Sequence, residues 1–151
     1  MQKILFVCLG NICRSPLGEG IMLHLIEKNN LPFQVDSAGT SNYHVGEAPD
    51  KRTIANAETH GVDLTALRAR QFTTKDFDAF DKIFVMDNSN LFDVLSMAKT
   101  EEHKQKVGLL LDLTHPGQQK EVPDPYFGGE QGFENVFNLV FKKKKKIIAS
   151  N

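Results

Sequence analysis

Cysteine is nearly absent from this chain, which carries only Cys8 and Cys13 among 151 residues. Two thiols five residues apart cannot staple a fold, so a disulfide framework is excluded and both cysteines point to chemistry rather than structure. A charge excess of one sign is missing too. The 18 Lys+Arg and 19 Asp+Glu leave a formal net charge of -1, which gives no global attraction to nucleic acid. The five histidines, His24, His44, His60, His103 and His115, show no ligand spacing with one another or with the cysteines, so no metal is expected. Long apolar runs are also lacking. The opening MQKILFVC is too short for a signal peptide, and nothing later approaches the length of a membrane span; a cytoplasmic protein with no membrane partner is expected. There are no internal repeats and no Gly/Ser-rich linker. With 40% hydrophobic and 25% charged residues, 1–151 is expected to form one globular domain with a substantial core.

What is present is an alternation of apolar runs and helical periodicity. Lys3 to Cys8 predicts a buried strand, followed by a polar loop and a helix from Ser15-Pro16 to Asn29-Asn30, with Leu17, Ile21 and Leu25 on one face. Phe33 to Asp36 predicts a second strand, Asp50 to His60 a helix stopped by Gly61, and Asp81 to Met86 a third strand. A helix from Ser89 to about Lys99, a fourth strand from Lys106 to Leu113 and a long closing helix from Phe133 to Ile148 complete the series. Strand and helix in alternation imply a doubly wound α/β domain: a four-stranded parallel sheet with helices on both faces. Ligands of such sheets bind at the carboxyl ends of the strands, where the residues after Val7 fall. Lys142 to Lys146 wind around more than one helical turn, which puts Lys144 on the face of Phe133, Phe137 and Phe141; 142–151 is expected to snorkel or fray.

The segment Cys8-Leu9-Gly10-Asn11-Ile12-Cys13-Arg14-Ser15 sets a cysteine at a strand end, five residues of loop, and an arginine at a helix start. Backbone N–H groups turned inward in such a loop, reinforced by the helix N-terminus, make a cradle for phosphate or another oxyanion. Gly10 and Asn11 both tolerate the positive φ that a tight curl needs. A cysteine in that field is expected to ionise readily and act as a nucleophile. Arg14 offers a planar fork for two phosphate oxygens, and Ser15 a hydroxyl to steady the thiolate.

The full string VCLGNICRSP, at the first strand-to-helix turn, resembles the signature of the low-molecular-weight protein tyrosine phosphatases. Glu19 fits as well, while Gly18 stands where the family usually has alanine and is expected only to loosen the first helical turn. The similarity extends to Asp36-Ser37-Ala38-Gly39, His60-Gly61, Arg70-Gln71, Met86-Asp87 and Asp124-Pro125-Tyr126. It implies that Cys8, Arg14 and Asp124 are catalytic, with Asp124 as general acid and base; by its residues alone Asp124-Pro125 reads only as a turn. It also implies a two-step hydrolysis of phosphotyrosine and small aryl phosphates through a phosphocysteine intermediate, without a cofactor. Leu9, Gly10, Asn11, Ile12, Cys13 and Ser15 would line the phosphate site, and Tyr43, Tyr126 and Phe127 an aromatic slot.

Asn11, Ser15 and Ser37 match the family's loop-bracing residues, but a histidine common before Arg-Ala-Arg-Gln is Leu67 here, so the bracing must differ. Asp87 could pair with Arg14 or cap a helix. Cys13 could form a reversible disulfide with Cys8 or simply pack beneath the loop. An arsenate reductase would need two further cysteines. Arginine phosphatases usually carry threonine where Ile12 stands, which favours phosphotyrosine proteins or peptides as partners. A binding module without turnover leaves the pairing of an activatable thiol with Asp124 unexplained.

Overall fold

Ile4, Leu5, Phe6 and Val7 are wholly shielded from solvent, which accounts for the unbroken apolar run at the head of the chain. In the computed structural model, which describes residues 1–125 and 129–149, they form the middle of strand β1 (Gln2–Cys8), with a parallel neighbour on either side. A strand covered on both faces has no solvent side to alternate against. Its side chains still alternate between two cores: Ile4, Phe6 and Cys8 enter one, Leu5 and Val7 the other.

The sheet has the order β2-β1-β3-β4, with β2 at Phe33–Gly39, β3 at Lys82–Val85 and β4 at Val107–Leu109. Helices α1 (Arg14–Asn29), α2 (Lys51–Thr59), α6 (Gly129–Phe141) and α7 (Lys144–Ala149) supply the first core with residues such as Leu17, Ala57, Phe137 and Ile147. On the opposite face α3 (Asp76–Ala79) and α4 (Asn88–Met97) bury Phe77 and Val94. A further short helix, α5 (Glu101–Gln105), leads into β4; neither it nor α3 has enough turns to register as an amphipathic pattern. The expected four-stranded parallel α/β sheet is what the chain forms. Because β1 has β2 on one side and β3 on the other, the strand order reverses beside it, and a crevice opens at its carboxyl end.

Two expectations need correction. The fourth strand ends at Leu109, and Leu110–Leu113 is a 3₁₀ turn. Leu110 and Leu111 both enter the same core, which the alternation of a strand forbids and a tight turn allows. The closing helix is two helices, separated at Lys142 and Lys143, where the Lys143 N–H reaches back three residues to the Val140 carbonyl. The lysine that ends up buried is Lys143 rather than Lys144, whose ammonium lies 3.7 Å over the Phe141 ring while Ile147 fills the core.

Candidate active site

Cys8 closes β1 and Arg14 opens α1, so a strand and a helix start hold the two ends of the loop between them. The loop's outer side is stitched down through its carbonyls. Thr40 N–H donates to the Cys8 carbonyl at 2.9 Å, Ser41 N–H to that of Leu9 at 2.9 Å, and Asp50 N–H to that of Ile12 at 2.8 Å. Among the described residues, the N–H groups of Leu9, Gly10, Ile12 and Cys13 donate to no protein acceptor. Carbonyls outward and amides unclaimed is the polarity an anion requires.

Asn11 has φ 58°, as the curl demands, but Gly10 does not take a positive φ. What a Cβ there would meet is the His44 ring at 3.1 Å, a tight contact that a small shift of this half-exposed side chain relieves. Gly39 is needed for room: its Cβ would meet the Leu9 carbonyl oxygen at 2.8 Å, so only glycine lets β2 support the loop this closely.

Behind the loop runs a chain of hydrogen bonds. Cys8 Sγ lies 3.0 Å from Ser15 Oγ, and Asn11 Nδ2 donates to both Ser15 Oγ and Ser37 Oγ at 2.8 Å. Asn11 Oδ1 accepts from Arg70 N–H at 3.0 Å, which fixes the amide's orientation. The Ser37 hydroxyl donates to Glu19 Oε1 at 2.5 Å. Ser15 therefore keeps its own proton for Cys8; its other acceptor, the Ala38 carbonyl, is 3.5 Å away. Leu67 packs against the core, and Glu19 with the Arg70 amide does the bracing. Burial pushes the Glu19 carboxyl up to about 7, with Asp36 adding to the rise and Ser37 and Arg70 opposing it.

Arg14 is 3% exposed and held from one nitrogen. Its Nη1 donates to Asp87 Oδ2 at 2.7 Å and to the Val122 carbonyl at 2.9 Å, which uses both hydrogens and leaves the Nε–Nη2 edge as a two-pronged donor. Asp87 fills both roles its sequence left open, because its Oδ1 accepts from Asn90 N–H at 2.7 Å and caps α4. Burial works against the guanidinium charge, but Cys8, Asp87 and Asp124 outweigh it and hold the Arg14 proton more tightly than usual.

Cys8, Leu9, Gly10, Ile12, Cys13, Arg14, Tyr43, His44 and Asp124 line one cleft of about 210 Å³. Tyr43 stands at its rim, 75% exposed. Tyr126 and Phe127 lie outside the described residues. Asn11 and Ser15 sit behind the cleft, bracing its floor. Cys13 is a thiol whose burial pushes it up to about 12, with Asp50, Cys8 and Asp124 contributing and the nearby Thr53 pulling the other way. His44, whose Nδ1 is 3.0 Å from Glu47 Oε2, had no signal in the sequence beyond its place beside Tyr43. A larger hollow of about 420 Å³ beside α2, lined by residues such as Ile54, Glu58 and Leu64, holds neither a cysteine nor a cation.

The model of the family described as low molecular weight phosphotyrosine protein phosphatase matches residues 3–150. The low molecular weight phosphotyrosine protein phosphatase of Saccharomyces cerevisiae is 42% identical over 151 residues, 97% of this chain and 92% of its own. Among solved structures, a protein tyrosine phosphatase from Entamoeba histolytica with Hepes in its active site superposes with a TM-score of 0.90 at 38% identity, covering 99% of this chain and 96% of that one. A Drosophila arginine phosphatase gives 0.89 at 36% identity, covering 99% and 97%.

Proposed function

The chain belongs to the low molecular weight phosphotyrosine protein phosphatase family, and on that premise we propose that it hydrolyses phosphotyrosine and small aryl phosphates by two-step transfer through Cys8. Cys8 Sγ attacks phosphorus and the P–O bond to the phenol breaks, giving a phosphocysteine. Asp124 protonates the departing oxygen, then takes a proton from the water that releases phosphate. The loop amides and the Nε–Nη2 edge of Arg14 hold the three phosphoryl oxygens as they flatten in the transition state. Ser15 donates to Cys8 whenever sulfur carries charge. What supports these roles is a single cleft shared by Cys8, Arg14 and Asp124, with Ser15, itself held by Asn11, 3.0 Å from the Cys8 sulfur.

Tyr43, at the rim of the cleft, offers an aromatic wall to a phenyl ester, and that contact favours phosphotyrosine over phosphoserine. Ile12, an apolar residue of the cleft lining, favours a phenyl ester over a polar phosphoguanidinium, although the chain is similar to an arginine phosphatase as well as to tyrosine phosphatases. Residues 1–151 work as one phosphatase domain, and a reducing cytoplasm suits an enzyme that depends on a free Cys8. Cys13 acts as its redox partner: a Cys8 sulfenic acid formed by peroxide condenses with the Cys13 thiol to a disulfide, releasing water. Burial, which raises the Cys13 thiol to about 12, keeps it from rivalling Cys8 toward phosphate and also makes that condensation slow.

Turnover of phosphotyrosine, phosphoserine and phosphoarginine peptides, compared in wild type, Cys8→Ser and Ile12→Thr, tests the proposal. Phosphotyrosine should lead, Cys8→Ser should lose on the order of 10⁴-fold or more while still binding vanadate, and Ile12→Thr should shift the ratio toward phosphoarginine. Preference for phosphoarginine by the wild type would overturn the substrate assignment.

A further inference from the structure

Residues 119–125, which carry Asp124 to the cleft, lie in neither helix nor strand, so their position depends on what fastens them. Two backbone-level bonds hold Val122: its N–H donates to the Met86 carbonyl at 2.8 Å, and its carbonyl accepts from Arg14 Nη1 at 2.9 Å. The residue before it is fastened separately. Glu121 Oε2 accepts from Asn88 N–H at 2.8 Å and from Asn88 Nδ2 at 3.1 Å. Asn88 Nδ2 also reaches the Gln119 carbonyl at 3.3 Å, where the backbone takes φ 54°, a conformation a non-glycine residue keeps only when its surroundings hold it.

Asn88 is the first residue of α4, so its N–H is one of those a helix start leaves without an intrahelical partner, and Glu121 brings a carboxylate to it. The same turn begins with Asp87, which grips Arg14. The phosphate-holding arginine and the acid-bearing segment are therefore pinned to one helical turn.

We propose that Glu121 is a positioning residue for proton transfer: by tying the segment to the start of α4 it sets where Asp124 stands relative to the phosphoryl group that Arg14 holds. This rests on Asp124 being the general acid. Because Val122 keeps its own two bonds, loss of Glu121 leaves the segment attached but frees it to turn about Val122, and a small misplacement of a proton donor costs rate without costing phosphate affinity. Nucleophilic attack, which depends on Cys8 and Arg14, is untouched.

The test is kcat/KM of the full-length protein on phenyl phosphate, whose leaving group needs a proton, and on p-nitrophenyl phosphate, whose leaving group departs as an anion. Glu121→Ala should lose about 10-fold or more on the first and under about 2-fold on the second, with an unchanged inhibition constant for inorganic phosphate. Glu121→Gln keeps an acceptor oxygen and should recover most of the loss. Asn88→Asp should repeat the selective loss without lowering the melting temperature, since an aspartate suits a helix start yet repels Glu121. A merely structural Glu121 would slow both substrates alike. Equal slowing, or none, in Glu121→Ala beside a selective loss in Asp124→Asn would overturn the inference. If Asp124→Asn itself slows both substrates equally, the acid assignment fails first and takes this one with it.

Discussion

Glu19 is four hydrogen bonds from the Cys8 thiol, through Ser37, Asn11 and Ser15, and it is the one acidic member of that chain. Its carboxyl, raised to about 7 by burial, has a consequence for stability that runs opposite to the usual acid denaturation. Between the ordinary value of 4.5 and about 7 the unfolded chain has lost this proton while the folded chain keeps it, so folded protein binds more protons and stability falls as pH rises. Below that window both forms are protonated and the penalty is absent; above it the penalty is complete. Glu19→Gln, which keeps an acceptor for Ser37 but cannot ionise, should therefore gain stability over wild type, and more at pH 8 than at pH 4.5. Denaturant melts at the two pH values measure this. A difference that does not change with pH would show that Glu19 does not titrate there.

At the scale of elements, the packing of α1 on β1 turns on a glycine. A Cβ on Gly18 would lie 2.6 Å from Phe6 Cδ1 and 2.7 Å from Cγ, and the Phe6 ring, fully buried and stacked 6.0 Å from Phe84, has nowhere to swing. Gly18 thus does more than loosen a turn: it is the space into which the central strand's largest side chain fits, and an alanine there would press on Phe6. Gly18→Ala would gain about 1 kcal/mol of helix propensity but incur about 1–3 kcal/mol of overpacking. A melting temperature lower by a few degrees is expected. A rise would mean that Phe6 and Phe84 repack. The same helix begins with Arg14 and Ser15, so any tilt should also appear as weaker phosphate binding.

For the whole molecule, both cores share β1 and β3, and α7 closes one of them through Ile147, which is 1% exposed. Truncation after Phe141 removes that side chain and should cost about 2–5 kcal/mol, as large-to-small changes in cores do. Calorimetry should still show a single transition, at lower temperature, because neither core can melt without the shared strands. Kinetic constants well below that temperature should be unchanged, since no α7 residue lines the cleft. An unaltered melting temperature would make α7 an appendage, and two transitions would divide the domain.

Cys8, the loop and Arg14 were legible because their chemistry is local: a strand end, a curl and a helix start are written in neighbouring residues, and Ser15 meets Cys8 only seven positions away. The buried parallel sheet was legible for a similar reason, since apolar runs and helical spacing depend on short stretches. The bends at Leu110 and Lys142 were not, because what ended β4 and split the last helix was the shape of the core those residues had to enter. Gly18 read as backbone freedom and proved to be room for Phe6, a distinction that depends on which side chain sits opposite. Asp87 meets Arg14 across 73 positions, Val122 meets it across 108, and Glu121 meets Asn88 across 33. No spacing rule covers such distances. The sequence by itself determined where Cys8 stands, the loop that follows it and the kind of sheet beneath, whereas the holding of Arg14 and the seating of Asp124 were decided by the β2-β1-β3-β4 order, which gathers remote strand ends around one crevice.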